Sequence, residues 1–355
     1  MDSILTYINE EPIVAKKVLN QRKILLEDFT SNFVNSNISR IIIVGSGTSF
    51  HAGAAAKVFF ERATGLEVTV EYPSIFLENA EFYKGNILVI GVSQSGSSTA
   101  TIEALKKAKA LGYSTLALTG GEHTTLEEYA DSFILIPCGK EAAGPKTKGY
   151  LATVLLLYCL AIEIALASQK INYEKYSHII KEMNILANNL SKVIKSSIQW
   201  CDRNKEDLMK VKKISVIGYE QNYPTALEGA LKLVETIRCP AISYEFEEYL
   251  HGPYNAIDGE SYIIIIKSPG KLEKRAEQLY ELISEYTEHI YVITNEESRN
   301  KKWLNGCFRN IDYLTPLEYV IPFQVLCACI PPELGIDPFR PKFPDFHRTM
   351  GSKIY

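Results

Sequence analysis

The sequence predicts an α/β protein built from two tandem, doubly wound parallel-sheet domains, and three observations carry that prediction. Short apolar runs of strand length alternate with longer stretches of helical period, the pattern of parallel strands covered by helices on both faces. Several of these runs end in glycine or in a hydroxyl-rich turn, which places ligand-binding loops at the carboxyl edge of a sheet. The whole pattern is then written a second time.

The repeat can be followed element by element. Ile41-Ile-Ile-Val-Gly45 is a strand closed by glycine, followed by Ser46-Gly-Thr-Ser49 and a helical stretch from His51 to Arg62. Ile214-Ser-Val-Ile-Gly218 does the same, followed by Tyr219-Glu-Gln-Asn-Tyr-Pro224 and a helical stretch from Thr225 to Ile237. Val68–Tyr72 then corresponds to Ala241–Glu245, Ile87–Val92 to Tyr262–Lys267, and Ser114–Thr119 to His289–Thr294. The spacing barely drifts between the Gly45/Gly218 pair and the Thr119/Thr294 pair. Residues 1–39 are helical without a strand pattern, and 173–207 form a long mixed helix between the two halves. The expected organisation is therefore 1–172 as an N-terminal domain with a helical leader, 173–330 as a C-terminal domain, and 331–355 as a tail. That tail is rich in Pro, Phe and basic residues and lacks periodicity, which favours a segment laid over the body of the protein rather than a disordered one.

Composition narrows the function classes. A chain of 355 residues suits two ordinary domains, and 46% hydrophobic with 23% charged residues is the balance of a globular protein. A net charge of −4 carries no polyanion signal, so neither nucleic acid nor an anionic membrane is expected as a partner. Seven cysteines without a repeating spacing, and no signal-peptide pattern, point to reduced thiols in a cytoplasmic protein. The apolar run Leu151 to Ala167 is interrupted by Glu163 and reads as a buried helix rather than a membrane span. His51, His123, His178 and His289 form no ligand spacing, so no metal is expected.

The chemistry concentrates in two places. Residues 87–99 run from an apolar strand into Ser93-Gln-Ser-Gly-Ser-Ser-Thr99 and then into the amphipathic stretch 100–110. A turn that opens a helix offers backbone N–H groups and the positive end of the helix dipole to an anion. Ser93, Ser95, Ser98 and Thr99 add hydroxyls, Gln94 adds an amide, and Gly96 permits close approach. An ordinary N-cap would need only one of those hydroxyls. The equivalent stretch of the second half, Lys267-Ser-Pro-Gly-Lys271, has lost the cluster, and Pro269 removes a backbone donor. The second half instead carries Glu228, Lys232 and Glu235 on one helical face, followed by Tyr244-Glu-Phe-Glu-Glu-Tyr-Leu-His-Gly-Pro253. Charges at this spacing are usually a solvated row. This helix is otherwise strongly apolar, so some of them should be poorly solvated, a condition that tunes proton affinity toward catalysis.

Gly45-Ser-Gly-Thr-Ser49, Ser93-Gln-Ser-Gly96, Tyr223-Pro-Thr-Ala-Leu-Glu-Gly-Ala-Leu-Lys-Leu-Val-Glu235 and His251-Gly-Pro253 resemble, in order, the sugar isomerase (SIS) family. The likeness is to the isomerase half of glucosamine-6-phosphate synthase and to its stand-alone relatives, which include fructosamine-6-phosphate deglycases. It implies flavodoxin-like three-layer α/β/α domains. It further implies a sugar-phosphate pocket at Thr48, Ser49, Ser93, Gln94, Ser95 and Ser98, with no cofactor. Glu235 matches the glutamate that moves a proton between C1 and C2 of the open-chain sugar, and Lys232 the lysine beside it. His251 matches a histidine that reaches the pocket from a neighbouring subunit, so a homodimer is expected. A tail lysine capable of forming a Schiff base aligns with Lys353, while Pro341-Lys342 offers a competing alignment. His347 and Arg348 would add positive charge near the substrate. Ser97-Ser98 departs from the Glu-Thr of the synthase, and Gly144-Pro145-Lys146 departs from the pattern before Thr147 and Lys148. Met1-Asp2 open the chain close to the isomerase half, which implies an enzyme without the glutaminase domain. The expected activity is that of a deglycase or of an amino-sugar phosphate isomerase or deaminase. The alternative is a regulatory protein that binds a sugar phosphate without turnover.

Overall fold

A computed structural model describes residues 3–354. Met1 and Asp2, on which the expectation about the missing glutaminase domain rests, lie outside the described residues. In chain order the first half runs α1 (Ile4–Val34), β1 (Arg40–Val44), α2 (Thr48–Thr64), β2 (Glu67–Glu71), α3 (Pro73–Asn79), β3 (Ile87–Ser93), α4 (Thr99–Ala110), β4 (Ser114–Thr119), α5 (Thr125–Glu128), β5 (Ser132–Leu135) and α6 (Lys148–Ala167). The second half runs α7 (Tyr173–Leu208), β6 (Ile214–Gly218), α8 (Tyr223–Thr236), β7 (Ala241–Glu245), α9 (Phe246–Tyr249), β8 (Tyr262–Lys267), α10 (Glu273–Ile283), β9 (Ile290–Thr294), β10 (Trp303–Leu304), α11 (Pro316–Tyr319), α12 (Ile321–Glu333) and α13 (Phe346–Thr349).

Both sheets are parallel, five-stranded and of one topology. The first has the order β2-β1-β3-β4-β5, and the second, read from its other edge, has β7-β6-β8-β9-β10. This is the doubly wound arrangement anticipated above, with β5 and β10 added. Neither of those edge strands stands out in sequence, because β10 has only two residues and β5 is only partly buried. The central strands are different. Every residue of β3 and of β8 is buried, so both read as continuous apolar runs.

The described residues form two compact units. One contains the first sheet, with residues 13–142, 148–184 and the chain from Arg340 onward. Its core gathers Ile42, Val44, Phe76, Val89, Ile102 and Leu105. α6 packs against α2 within this unit, and the Tyr158 hydroxyl donates to the Ala55 carbonyl at 3.3 Å. By length and composition α6 could cross a membrane, yet it is buried along most of its length within the protein. Glu163, the charge that interrupts its apolar run, is satisfied by the Tyr176 hydroxyl at 2.6 Å and by Arg22 Nε at 3.2 Å.

The other unit contains the second sheet, with residues 143–147, 185–339 and the stretch ending at Pro12. Its core includes Ile217, Tyr219, Phe246, Ile263, Ile265 and Leu279. α12 lies against α8 at a close approach made possible by Gly229, where a Cβ would stand 2.6 Å from the Phe323 ring. A side chain at that position would force the two helices apart.

Candidate functional site

In each sheet the chain reverses its winding direction between two adjacent strands, β1 and β3 in the first and β6 and β8 in the second. A crevice opens at the carboxyl edge of such a switch point. In the first sheet Val44 pairs with Gly91, so the turns at 45–49 and 93–98 emerge side by side. These turns carry all six hydroxyl and amide residues that the sequence singled out for phosphate.

The geometry of the 93–98 turn is set by its neighbours. Gly96 N–H donates to the Ser93 carbonyl at 2.9 Å, and Gly96 has φ +64°, a left-handed conformation that favours glycine. A Cβ there would also stand 2.3 Å from the Thr124 side chain. Ser95 and Ser97 hydroxyls are 2.9 Å apart, and the Thr101 hydroxyl donates to Ser98 Oγ at 3.1 Å. Ser98 occupies the N-cap position of α4 yet makes no side-chain cap to the helix amides. The plain capping reading therefore does not account for the cluster. Thr48 and Ser49 open α2 behind Gly47, itself at φ +55°.

Gln94 is held by residues that sequence reasoning missed. Its Nε2 donates to Cys138 Sγ at 2.9 Å, and its carbonyl accepts from Gly120 N–H at 3.0 Å. A Cβ on Gly120 would come within 2.4 Å of the Gln94 amide, and one on Gly149 within 2.9 Å. Gly149 N–H in turn donates to the buried Glu141 carboxylate at 3.1 Å. A single cysteine and isolated glycines carry no spacing signal, so only the fold reveals this cage.

The end of the chain is laid across the same turn. Lys353 pairs with Ser98 in an antiparallel bridge. Ile354 N–H donates to the Ser97 carbonyl at 2.9 Å, Thr99 N–H to the Ser352 carbonyl at 3.3 Å, and the Thr99 hydroxyl to the Gly351 carbonyl at 2.9 Å. Of the two tail lysines, Lys353 is thus the one brought to the hydroxyl turn, while Lys342 lies over the Phe343 ring. His347 Nδ1 is 2.9 Å from Ser352 Oγ, and Arg348 is paired with Asp345 at 2.5 Å.

In the second sheet the turns that follow β6 and β8 are bonded to each other. Lys271 N–H donates to Glu220 Oε1 at 3.0 Å, and a Cβ on Gly270 would stand 2.3 Å from Glu220 Oε2. Glu220 has φ +49°, an uncommon conformation for a residue with a side chain. At the position corresponding to the end of β3, buried Lys267 pairs with Glu296 at 2.6 Å.

The helix after β6 carries the titratable row. Lys232 is fully buried on α8, and its Nζ lies 2.5 Å from Glu235 Oε2 and 3.4 Å from Glu228 Oε1. Glu228 is buried too, whereas the Glu235 side chain keeps 32% of its exposure. This is not a solvated row. Burial works against the charge of Lys232, but the Glu228 and Glu235 carboxylates outweigh it and hold the ammonium above the ordinary lysine range. Lys232 is therefore a fixed cation, and Glu235 is the member of the row that combines ionic support with access. His251 follows α9, whose N-terminus is capped by the Glu245 carboxylate on the Glu247 and Glu248 amides. It sits exposed in a turn, its N–H donating to the Glu248 carbonyl at 3.0 Å.

Two parallel α/β units of one topology, one carrying a hydroxyl-rich turn and the other a buried lysine between carboxylates, define a duplicated doubly wound class of protein. The sequence pattern of the SIS domain matches residues 35–163 and 207–301, and the chain belongs to the SIS domain family. A structure from Clostridium difficile 630, provisionally described as a phosphosugar isomerase, is 35% identical, covers 100% of this chain and 99% of its own, and superposes with a TM-score of 0.94. A provisional sugar-binding protein from Salmonella typhimurium LT2 is 33% identical over 92% of this chain and 99% of its own, with a TM-score of 0.86. Glutamine–fructose-6-phosphate aminotransferase (isomerizing) of Caldanaerobacter subterraneus subsp. tengcongensis is 28% identical over 94% of this chain. This chain spans 57% of that relative's length.

Proposed function

We propose that the protein is an enzyme acting on a 6-phosphorylated ketose or aldose, or on its amine adduct, by proton transfer between C1 and C2. The observation that carries this reading is the pairing of accessible Glu235 with the buried Lys232 ammonium at 2.5 Å. Thr48, Ser49, Ser93, Gln94, Ser95 and Ser98 would hold the phosphate, fixing the sugar by a group remote from the reacting carbons. Glu235 would take the proton from one carbon and return it to the other through an enediol or enolamine. Lys232 would keep that carboxylate oriented, and His251 would assist ring opening or protonate a departing group. Lys353, delivered by the tail to Ser98, would be the amine available to a carbonyl carbon. Two reaction subtypes fit this chemistry: cleavage of an amine from a phosphorylated adduct, and isomerisation or deamination of an amino-sugar phosphate.

His251 is exposed in this chain, beside an apolar groove lined by Leu250, Tyr254, Ile257, Leu282 and Tyr286. Both features support a homodimer in which His251 serves the neighbouring copy. Seven free thiols support a reducing, cytoplasmic setting. A second reading, binding without turnover, is favoured by the likeness to the Salmonella protein. Incubation with fructose 6-phosphate plus ammonium, with a 6-phosphofructosyl amino acid, and with glucosamine 6-phosphate, followed by mass spectrometry, separates the two. Conversion of any of these supports the enzyme; tight binding without conversion establishes the binding protein.

A further inference from the structure

The sulfur that Gln94 faces decides which way its carboxamide is turned. Cys138 is buried, and its Sγ lies 3.4 Å from the Gly139 carbonyl oxygen, an atom that can only accept. A thiol has one proton, and that carbonyl takes it. Burial pushes the Cys138 thiol up, so the proton is held at neutral pH. The sulfur therefore offers Gln94 a lone pair, and the group that meets it at 2.9 Å is the amide nitrogen. Gly120 and Gly149 hem the carboxamide in against that sulfur, since a Cβ on either would stand 2.4 or 2.9 Å from its atoms.

With the nitrogen committed to Cys138, Oε1 lies on the other edge of the amide. Among the described residues no donor reaches Gln94 Oε1, and the oxygen is not sealed from solvent although the side chain is half-buried. It is an acceptor held in place and left open in the turn that carries the serine hydroxyls.

We propose that Cys138 is a positioning residue: it holds Gln94 with the side-chain oxygen toward the ligand, so that this side chain reads a hydroxyl or amino group of the sugar and not its phosphate. The inference rests on the sugar-phosphate reading of the site given above. At neutral pH the oxygens of a phosphate monoester accept hydrogen bonds and carry negative charge, and a carbonyl oxygen turned toward them repels. A sugar hydroxyl or ammonium donates, and it satisfies Oε1. The donors that a phosphate needs come from the serine hydroxyls and from the main-chain N–H groups of the same turn, that of Gln94 included. Gln94 thus touches two parts of one ligand, the phosphate through its main chain and the sugar through its side chain.

The test compares two ligands by calorimetry on the whole protein: fructose 6-phosphate, and methyl phosphate, which keeps the monoester and lacks every hydroxyl of the sugar. Cys138→Val removes the acceptor at similar volume. It should weaken fructose 6-phosphate about fivefold, the share of one hydrogen bond, and leave methyl phosphate unchanged. Cys138→Ser, which restores an acceptor, should recover most of that loss. A merely structural role for Cys138 would weaken both ligands together, so an equal fall, or no fall for either, overturns the proposal and leaves the sugar-phosphate reading standing. A wild-type protein that binds neither ligand overturns that reading and this inference with it. If Cys138→Val does not fold, Gln94→Met decides: a loss confined to fructose 6-phosphate supports the assignment, and a loss shared equally by methyl phosphate overturns it.

Discussion

Lys232 Nζ sits 2.5 Å from Glu235 Oε2, with the lysine wholly buried and the glutamate reaching the surface. The pair divides one ionic contact between the interior of α8 and its accessible face. Replacing either partner therefore has a different consequence.

Glu235→Gln keeps the shape of the side chain and removes its capacity to exchange a proton. Turnover should fall by about 10²–10⁴-fold, the usual share of a positioned acid–base group. Sugar-phosphate affinity, measured by calorimetry, should change little. Unchanged turnover would remove Glu235 from the mechanism.

Lys232→Met should act on the fold itself. It leaves Glu228 buried without its cationic partner, and breaking a buried pair from one side costs about 3–5 kcal/mol. Urea unfolding reads the loss directly. Adding Glu228→Gln to that variant should restore part of the stability, because the stranded charge is then gone.

Gly149→Ala tests the cage around Gln94. The added methyl would stand 2.9 Å from the Gln94 carboxamide, and the flexible side chain is what must give way. Affinity for a sugar phosphate should drop about tenfold, or about 1.4 kcal/mol. The melting temperature should hold or rise, since alanine favours a helix over glycine.

The tail offers a paired experiment. Ending the chain at Met350 removes every main-chain bond from residues 351–354 to Ser97 and Thr99, whereas Lys353→Met keeps them. Truncation should weaken sugar-phosphate binding and turnover together. The point variant should lose turnover alone, and equal behaviour of the two would show that the Lys353 ammonium is not used.

Asp207 governs a separate, acid-sensitive part of the second unit. Burial opposes its charge, but the Tyr291 hydroxyl at 2.5 Å, His289 Nδ1 at 2.8 Å, Lys302 Nζ at 3.1 Å and the Tyr262 hydroxyl at 3.0 Å outweigh that and hold the carboxyl well below its usual range. A carboxyl depressed in the folded state contributes its stability above the unfolded value near 4, and loses it as the pH falls toward the folded value. Stability measured between pH 5 and pH 2 should therefore decline less steeply in Asp207→Asn than in the wild type.

The strands most legible in sequence were those buried on both faces. β3 and β8 have no polar residue to blur the apolar run until its last position, and the repeat between the halves fixed their order. β5 and β10 escaped because edge strands are short and mixed. The serine turn and the Glu228-Lys232-Glu235 row could be read because their residues are local in the chain. The Gln94 cage could not, since Gly120 follows β4, Cys138 follows β5 and Gly149 lies in the first turn of α6, and they meet only once the sheet is formed.

Glu220 gives the duplication an accounting in stoichiometry. Its carboxylate accepts from the Lys271 N–H in the turn after β8, the counterpart of the serine turn after β3, so the two halves of the repeat do not present the same turn to a ligand. A ligand titration should close at one equivalent, and a second equivalent should enter only once that carboxylate is removed.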